Sequence, residues 1–595
     1  MSRQITPAST LENLKREAKR WLKELRANVK EARSRLERVF PDAPPEPTLR
    51  DVQHALAREH GLAGWSELKR TIHETSHPSV EKSRAEVVHW FLENACPDHH
   101  VRGGPAHVMA RHTAMRILER YPEIARDSVH TAVVCGELAE VERLLAERPQ
   151  LALEKSSEAT PDRSGPGGAG DLFRNIGPKG WDPLLYLSFT RLPREATNDN
   201  AVAIARALLD AGADPNAYFM AGDSRYTPLV GVIGEGEEDR PPHPQRYALV
   251  RLLLERGAEP YDIQVVYNTH FHGDVLWLLK LIHEYSLKAG READWADPEW
   301  SMLDMGGYGT GARWFLNIAL KNNDRELAEW VLSHGASANA APARDPRMSR
   351  RSLHDEAVRN GLTEMANLLV RHGAAPATVS LDGVEAFTAA CFRLDRDEAQ
   401  SILATHPEYL RSTAPMFAAT KRDRVEVVEL LLELGTSPDV EDGTGQRPLH
   451  IAAYNDSLRV GELLIDCGAE IDPVERNWGN TPLDAAVYSQ SLRMIELLGR
   501  VSRDVWNLTF TGKIKRLREV LATEPQLATV SSEQYGTPLM FLPEDETRAM
   551  ESIELFLANG TDPSMKNGDG HTAADRAESR GLFRAAELLR SKVSA

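Results

Sequence analysis

Two short sequence motifs, called words here, each recur along this chain at nearly the same distance. The segment GQRPLH at residues 445–450 returns as GNTPLD at 479–484, 34 residues later. The segment LLLELG at residues 430–435 returns as LLIDCG at 463–468, 33 residues later. A period of this length marks a small supersecondary unit that cannot bury its own apolar face, so several copies must stack. The chain is therefore predicted to form a solenoid.

Each repeated word has a local physical role. Pro448 and Pro482 suit the first position of a helix, because that position has no intrahelical partner for an N–H. Leu449, Ala452 and Ala453 are small or apolar enough for a thin first helix that packs against its neighbours. Residues 460, 463 and 464 place apolar side chains on one face of a second helix. Gly468 then ends that helix, since glycine adopts the left-handed conformation without penalty. Each unit is predicted to be a pair of helices.

These words resemble the ankyrin repeat, and the resemblance implies an all-α solenoid that binds partners on its concave face. Counting degenerate copies, we predict about a dozen repeats over residues 127–595. The segments LENLKREAKRWLKEL and LRDVQHALAREHGLAGWSELK resemble a small helical module that precedes ankyrin repeats in bacterial proteins. We therefore predict an N-terminal helical module at 1–75 and a capping or degenerate repeat segment at 80–126.

Charge and cysteine content limit the classes of function. The first 73 residues carry 15 Lys and Arg against 10 Asp and Glu, whereas the whole chain has a net charge of −17. An acidic body disfavours nucleic-acid binding. Four cysteines without paired spacing favour a reducing compartment and no structural zinc. No signal peptide or apolar run long enough for a membrane is visible. We predict a cytoplasmic protein with no cofactor, no membrane contact and no nucleic-acid partner.

The repeat spacing fails in the middle of the array, over residues 154–315. Insertions fall at 156–179, 190–200, 234–245 and 289–311. Insertions in repeat proteins lie on loops and often shape a binding face. Aromatic residues crowd into the same region of an aromatic-poor chain, with polar groups among them. We predict that a partner or ligand contacts Trp181, Tyr218, Phe219, Arg225, Tyr226, Tyr267, His270, Tyr308 and Arg313.

Three functions remain open for this region. The first is binding of a protein partner through the concave face around residues 180–315. The second is an enzyme, most plausibly a hydrolase, in which paired carboxylates act as acid and base in a pocket built by the insertions. Its candidate residues are Asp182, Asp223, Glu235, Glu237, Glu238 and His270. The third is sensing of a small molecule in the same pocket.

The segment THFHGD at residues 269–274 resembles the T-H-x-H-x-D motif of the metallo-β-lactamase superfamily. That resemblance implies zinc ligands at His270, His272 and Asp274. Val275 stands where the motif has its next histidine, and residues 268–276 fall where ankyrin repeats place the turn between two helices. We therefore predict a turn here and no metal site.

Overall fold

The computed structural model describes residues 11–27, 29–41, 43–60, 64–65, 68, 83–97, 104–156, 180–221, 223–236, 240–273, 275–376, 379–381 and 383–593. These residues belong to two compact units, Met1–Val87 and Val88–Ala595. The described helices include none long and apolar enough to cross a membrane.

The described residues of the first unit include the helices Leu11–Arg26, Lys30–Val39 and Leu49–Glu59. Trp21 lies in its core, where the indole N–H donates to the Ala32 carbonyl at 3.0 Å. The Arg35 guanidinium lies 3.8 Å from the centre of the Trp21 ring and also pairs with two glutamates of the unit. The first two helices are separate, because the chain leaves the helical conformation at Val29, the N-cap of the second.

The second unit contains thirteen stacked pairs of elements, numbered here R1 to R13, in its described residues. In each pair the first element is followed by an antiparallel second helix. The pairs are Val129–Cys135 with Leu138–Glu147, Pro183–Phe189 with Ala201–Asp210, Pro228–Ile233 with Arg246–Glu255, Ile263–His272 with Val275–Lys288, Gly311–Asn322 with Arg325–Ser333, Leu353–Arg359 with Thr363–Arg371, Gly383–Phe392 with Arg396–Thr405, Thr413–Lys421 with Val425–Glu433, Pro448–Tyr454 with Leu458–Asp466, Pro482–Tyr488 with Leu492–Leu498, Val505–Phe510 with Ile514–Thr523, Pro538–Phe541 with Glu546–Ala558, and Ala573–Ser579 with Phe583–Val593.

Burial in the regular repeats follows the predicted pattern. In R9, Leu449, Ala452, Ala453 and Leu464 are completely or almost completely buried. Gly468 has a φ of 86°, the left-handed conformation expected after the second helix. The prediction of an all-α solenoid is confirmed.

Irregular elements interrupt the array where the spacing fails. A short helix, Glu195–Asp199, lies within R2, and an antiparallel hairpin joins R2 to R3. Three short 3₁₀ helices, Glu292–Ala296, Ser301–Leu303 and Gly306–Tyr308, lie between R4 and R5. Most of the predicted insertion at 156–179 falls outside the described residues.

The helices Arg84–Ala95 and Gly104–Arg120 precede R1 and do not form a repeat of the array. The 3₁₀ helix Pro122–Arg126 leads from them into R1. Helix Gly104–Arg120 packs against this 3₁₀ helix and against Pro482–Tyr488, the first helix of R10.

Candidate functional site

The hairpin between R2 and R3 pairs strand Phe219–Ala221 with strand Ser224–Tyr226. Successive side chains of a strand point to opposite faces. Tyr218 and Met220 accordingly face solvent, 47% and 53% exposed. The Arg225 guanidinium lies 4.0 Å from the centre of the Tyr218 ring. The segment between R2 and R3 is therefore a hairpin, called here the finger, that exposes one face.

Three of the predicted binding aromatics pack under this hairpin. Trp181 stacks on Phe219 with 4.5 Å between ring centres, and Phe219 stacks on Tyr226 at 5.3 Å. Trp181 and Tyr226 are buried, and Phe189 at the end of the first helix of R2 completes the cluster. These rings support the finger from below.

The predicted acidic residues lie on separate elements. Asp182 caps the first helix of R2, where its carboxylate accepts from the Leu185 N–H at 3.0 Å. Burial raises the pKa of Asp182, and hydrogen bonds from the helix start oppose that rise. Asp223 is exposed in the turn of the hairpin. Glu237 and Glu238 lie outside the described residues.

Glu235 forms a buried ion pair with Arg240, and each side chain is only 1% exposed. The two residues also exchange backbone hydrogen bonds, which closes the loop after the first helix of R3. The Arg240 guanidinium donates to the Phe189 carbonyl at 2.9 Å and to the Pro97 carbonyl. Glu235 thus fixes a loop in the structure.

A second aromatic cluster joins R4 to the insertion before R5. Tyr267 and Trp314 stack with 5.9 Å between ring centres, and Tyr308 lies within 5.8 Å of Tyr267 and 5.2 Å of Trp314. Phe271 and Tyr308 remain 44% and 38% exposed. His270 lies against Trp314, with ring centres 5.2 Å apart. Unlike the rings under the hairpin, this cluster reaches the surface.

The loop of R3 rests on this second cluster. The Gly236 N–H donates to the Asn268 side-chain oxygen at 2.9 Å. A Cβ at Gly236 would lie 2.1 Å from the Phe271 ring, so only glycine fits there. The contact connects the acidic loop to Phe271, and sequence spacing carried no sign of it.

The candidate metal residues His270 and His272 lie in the last turn of the first helix of R4. The predicted turn over residues 268–276 is therefore wrong for residues 268–272, which are helical, and the helix ends at Gly273 with a φ of 93°. Residues two apart on a helix do not face each other. The His270 ring bonds to the Tyr267 carbonyl, and Asp274 lies outside the described residues. Across the described residues, no group of three or more His, Cys, Asp or Glu side chains is placed to hold a metal ion.

Arg313 is 1% exposed, and one guanidinium nitrogen, Nη2, donates to the Arg351 carbonyl at 3.0 Å. Its Nε and Nη1 have no hydrogen-bond partner among the residues that the structure describes. Burial lowers the pKa of Arg313, whereas Glu356 and Glu299 oppose that effect. Arg313 therefore supports the base of the second cluster and presents no exposed surface.

A cavity of about 510 Å³ lies away from all the predicted site residues. Its apolar wall comes from helix Gly104–Arg120 and the 3₁₀ helix Pro122–Arg126. Its polar rim includes Glu137, which accepts from Arg126 at 2.8 Å and from Arg194 at 2.9 Å. Only Arg194 in its lining comes from an insertion.

Comparison with known proteins supports the repeat assignment. A family model described as ankyrin repeats (3 copies) matches residues 415–506, which cover R8 to R10 and the start of R11. Among solved structures, the chain is similar to the ankyrin repeat domain of Bcl-3, described as a unique member of the IkappaB protein family. That similarity has 18% identity and a TM-score of 0.25, and covers 34% of this chain and 97% of the other.

The family match falls on the repeats whose period is most regular, and the same pairing of helices continues on both sides of it. Residues 415–506 therefore form ankyrin repeats, within a longer array of helix pairs.

Proposed function

We propose that the protein binds a protein partner through a surface formed by Tyr218, Met220, Phe271 and Tyr308, called here the finger patch. Ankyrin repeats support protein interaction as the general class of function. The observation that carries the finer proposal is exposure. These four large apolar side chains are between 38% and 53% exposed, although Trp181, Tyr226 and Trp314 in the clusters beneath them are buried. Exposed aromatic anchors of this kind carry most of the energy of protein interfaces.

The backbone that carries the finger patch is held in place. Tyr308 lies in a loop whose Gly307 carbonyl accepts from the Arg344 and Asp345 N–H groups, both at 2.9 Å. Tyr218 and Met220 lie on or beside the paired hairpin, and Phe271 lies on a helix. An ordered surface loses little conformational entropy on binding, which favours affinity.

Crosslinking tests where the partner binds. A photoreactive amino acid is placed at Met220 in one protein and at Tyr247 in another. Tyr247 is a matched control, because it is 47% exposed but lies on the second helix of R3. We expect the same partner to be captured from native cells at Met220 and not at Tyr247. Equal capture at both positions would argue against the finger patch.

The affinity for the captured partner then tests whether Tyr218 and Phe271 contribute to binding. Binding of the purified partner is measured by calorimetry for the wild type, for Tyr218→Ala with Phe271→Ala, and for Tyr247→Ala. Hot-spot side chains each contribute about 2 kcal/mol or more, so the double variant is expected to bind at least roughly a hundredfold more weakly. The control is expected to bind like the wild type. An unchanged affinity of the double variant would refute the proposal.

A further inference from the structure

The helices Arg84–Ala95 and Gly104–Arg120 contact the beginning and the end of the array. At the beginning, the Thr190 hydroxyl donates to the Ala95 carbonyl at 3.2 Å, and the Cys96 thiol lies 3.5 Å from the Tyr186 carbonyl. The Arg240 guanidinium donates to the Pro97 carbonyl. The first helix of the pair is thus anchored on R2 and R3.

The second helix of the pair reaches the last two repeats. Arg116 donates from Nη1 to the Arg580 carbonyl at 2.7 Å, and from Nη2 to the Glu544 carbonyl and carboxylate, both at 2.6 Å. The Arg580 guanidinium donates to the same carboxylate. Thr113 adds a bond to the Arg580 carbonyl at 3.2 Å. This set of contacts, called here the clasp, spans more than 400 positions of the sequence.

Aromatic contacts join the last repeat to both helices of the pair. The Trp90 ring lies 6.4 Å from the Phe583 ring of R13, and the Arg120 guanidinium lies 4.3 Å from that ring. Trp90 and Ala95 are on one helix, roughly 8 Å apart along its axis. Since Ala95 contacts R2, this one helix contacts both the second and the last repeat. In an open solenoid each repeat contacts only its neighbours.

We infer that this helix pair is an intramolecular strap which holds the repeat array closed, and that release of the clasp opens the array. The inference is independent of the finger patch, because none of the finger-patch residues belongs to the strap or the clasp. The helices Arg84–Ala95 and Gly104–Arg120 then have a conformational role in place of the capping role that their position before R1 suggests.

The two ends of the strap differ in chemistry, which decides which one opens. At the end of the strap that contacts R2 and R3, Phe91, Ala95 and Cys96 are buried. The hydrogen bonds at this end, from Thr190, Cys96 and Arg240, go to backbone carbonyls. Apolar burial of this kind is insensitive to charge. The clasp depends on one carboxylate, Glu544, buried against the guanidinium groups of Arg116 and Arg580. Removing one partner of such a group leaves an uncompensated buried charge.

Charge at the clasp also makes it sensitive to pH. The groups that face His112 are Glu544 from R12, Arg580 from R13, and Arg111 and Arg116 on its own helix. Burial and the three arginines lower the pKa of His112, whereas Glu544 opposes that shift. A lowered histidine pKa means that stability is full above the unfolded pKa of about 6.5 and is lost as the pH falls. The lowered pKa of Glu544 acts in the same direction at lower pH.

Pulsed EPR distances test the strap directly in the full chain. Spin labels are attached at Glu119→Cys on the strap and Arg584→Cys on R13, in a Cys467→Ser background, because Cys467 is exposed and the other three cysteines are buried. The wild type is expected to show one narrow, short distance. Glu544→Gln is expected to shift most of the spins to longer distances. The control, Glu554→Gln, changes an exposed carboxylate of the same repeat and is expected to match the wild type.

A measurement without any change to Glu544 keeps the inference testable if that variant fails to fold. The labelled wild type is compared at pH 8 and pH 5, and His112→Gln is compared in the same way. We expect a longer-distance population at pH 5 in the wild type and a smaller one in His112→Gln. A single short distance at both pH values in the wild type, or in folded Glu544→Gln, would overturn the inference.

Discussion

Replacing Arg240 with methionine removes the cation from a buried ion pair and leaves the Glu235 carboxylate in place. Both side chains are 1% exposed, so water screens neither charge. Breaking a buried pair by removing one partner costs about 3–5 kcal/mol. The double variant Glu235→Met with Arg240→Met has no buried charge and loses only the bonds to the Phe189 and Pro97 carbonyls. Those losses amount to roughly 1–3 kcal/mol.

Hydrogen exchange measures this cost at the site. Each tenfold loss of protection corresponds to about 1.4 kcal/mol. For Arg240→Met we expect exchange in Pro183–Phe189 and Arg246–Glu255 to be roughly a hundredfold to a few thousandfold faster than in the wild type. Val425–Glu433 in R8 is the internal control and is expected to exchange at the same rate.

The double variant shows whether Glu235 and Arg240 stabilise the protein as an ion pair or through two independent sets of contacts. We expect it to be less destabilised than either single variant, because neither charge is left alone. If its loss of protection equals the sum of the two single losses, the two residues do not act as a pair and the reasoning is refuted. The experiment would then give no support to the conclusion that Glu235 stabilises the loop through its ion pair with Arg240.

Three further outcomes are expected. Gly236→Ala would place a Cβ 2.1 Å from the Phe271 ring, so thermal unfolding should show a loss of about 1–3 kcal/mol, and partner affinity should fall with the displaced ring. Burial and Asp504 raise the pKa of Asp484 to about 6. Asp484 therefore contributes stability that is present below pH 3.8 and is lost as the pH rises through 6. In urea unfolding, Asp484→Asn should be roughly 1–3 kcal/mol more stable than the wild type at pH 7 and equally stable at pH 4. A thiol reagent should label Cys467 quickly in the native protein, because burial raises the pKa of the other three thiols to about 12.

The repeat period and the region where it fails could both be predicted from the sequence. The word at 445–450 predicted the first helix of R9, and the failure of the spacing over residues 154–315 predicted the irregular region that contains the hairpin. These features depend on residues close in sequence, and local spacing reports them.

Orientation within the irregular region could not be read in the same way. Trp181, Phe219 and Tyr226 share the composition of a binding surface, but they stack beneath the hairpin. Asp182 has the composition of a catalytic acid, but it caps a helix. An aromatic or acidic residue has the same sequence signature whether it points into the core or out of it.

By itself, the sequence determined that this chain is an all-α solenoid, because a helix pair that repeats every 33 or 34 residues has a face that only its neighbours can bury. Tertiary structure alone decided that the last repeats lie against helix Gly104–Arg120. The bond between Thr113 and Arg580 joins residues 467 positions apart. No local period connects such residues, since their contact follows from the accumulated curvature of all the repeats between them.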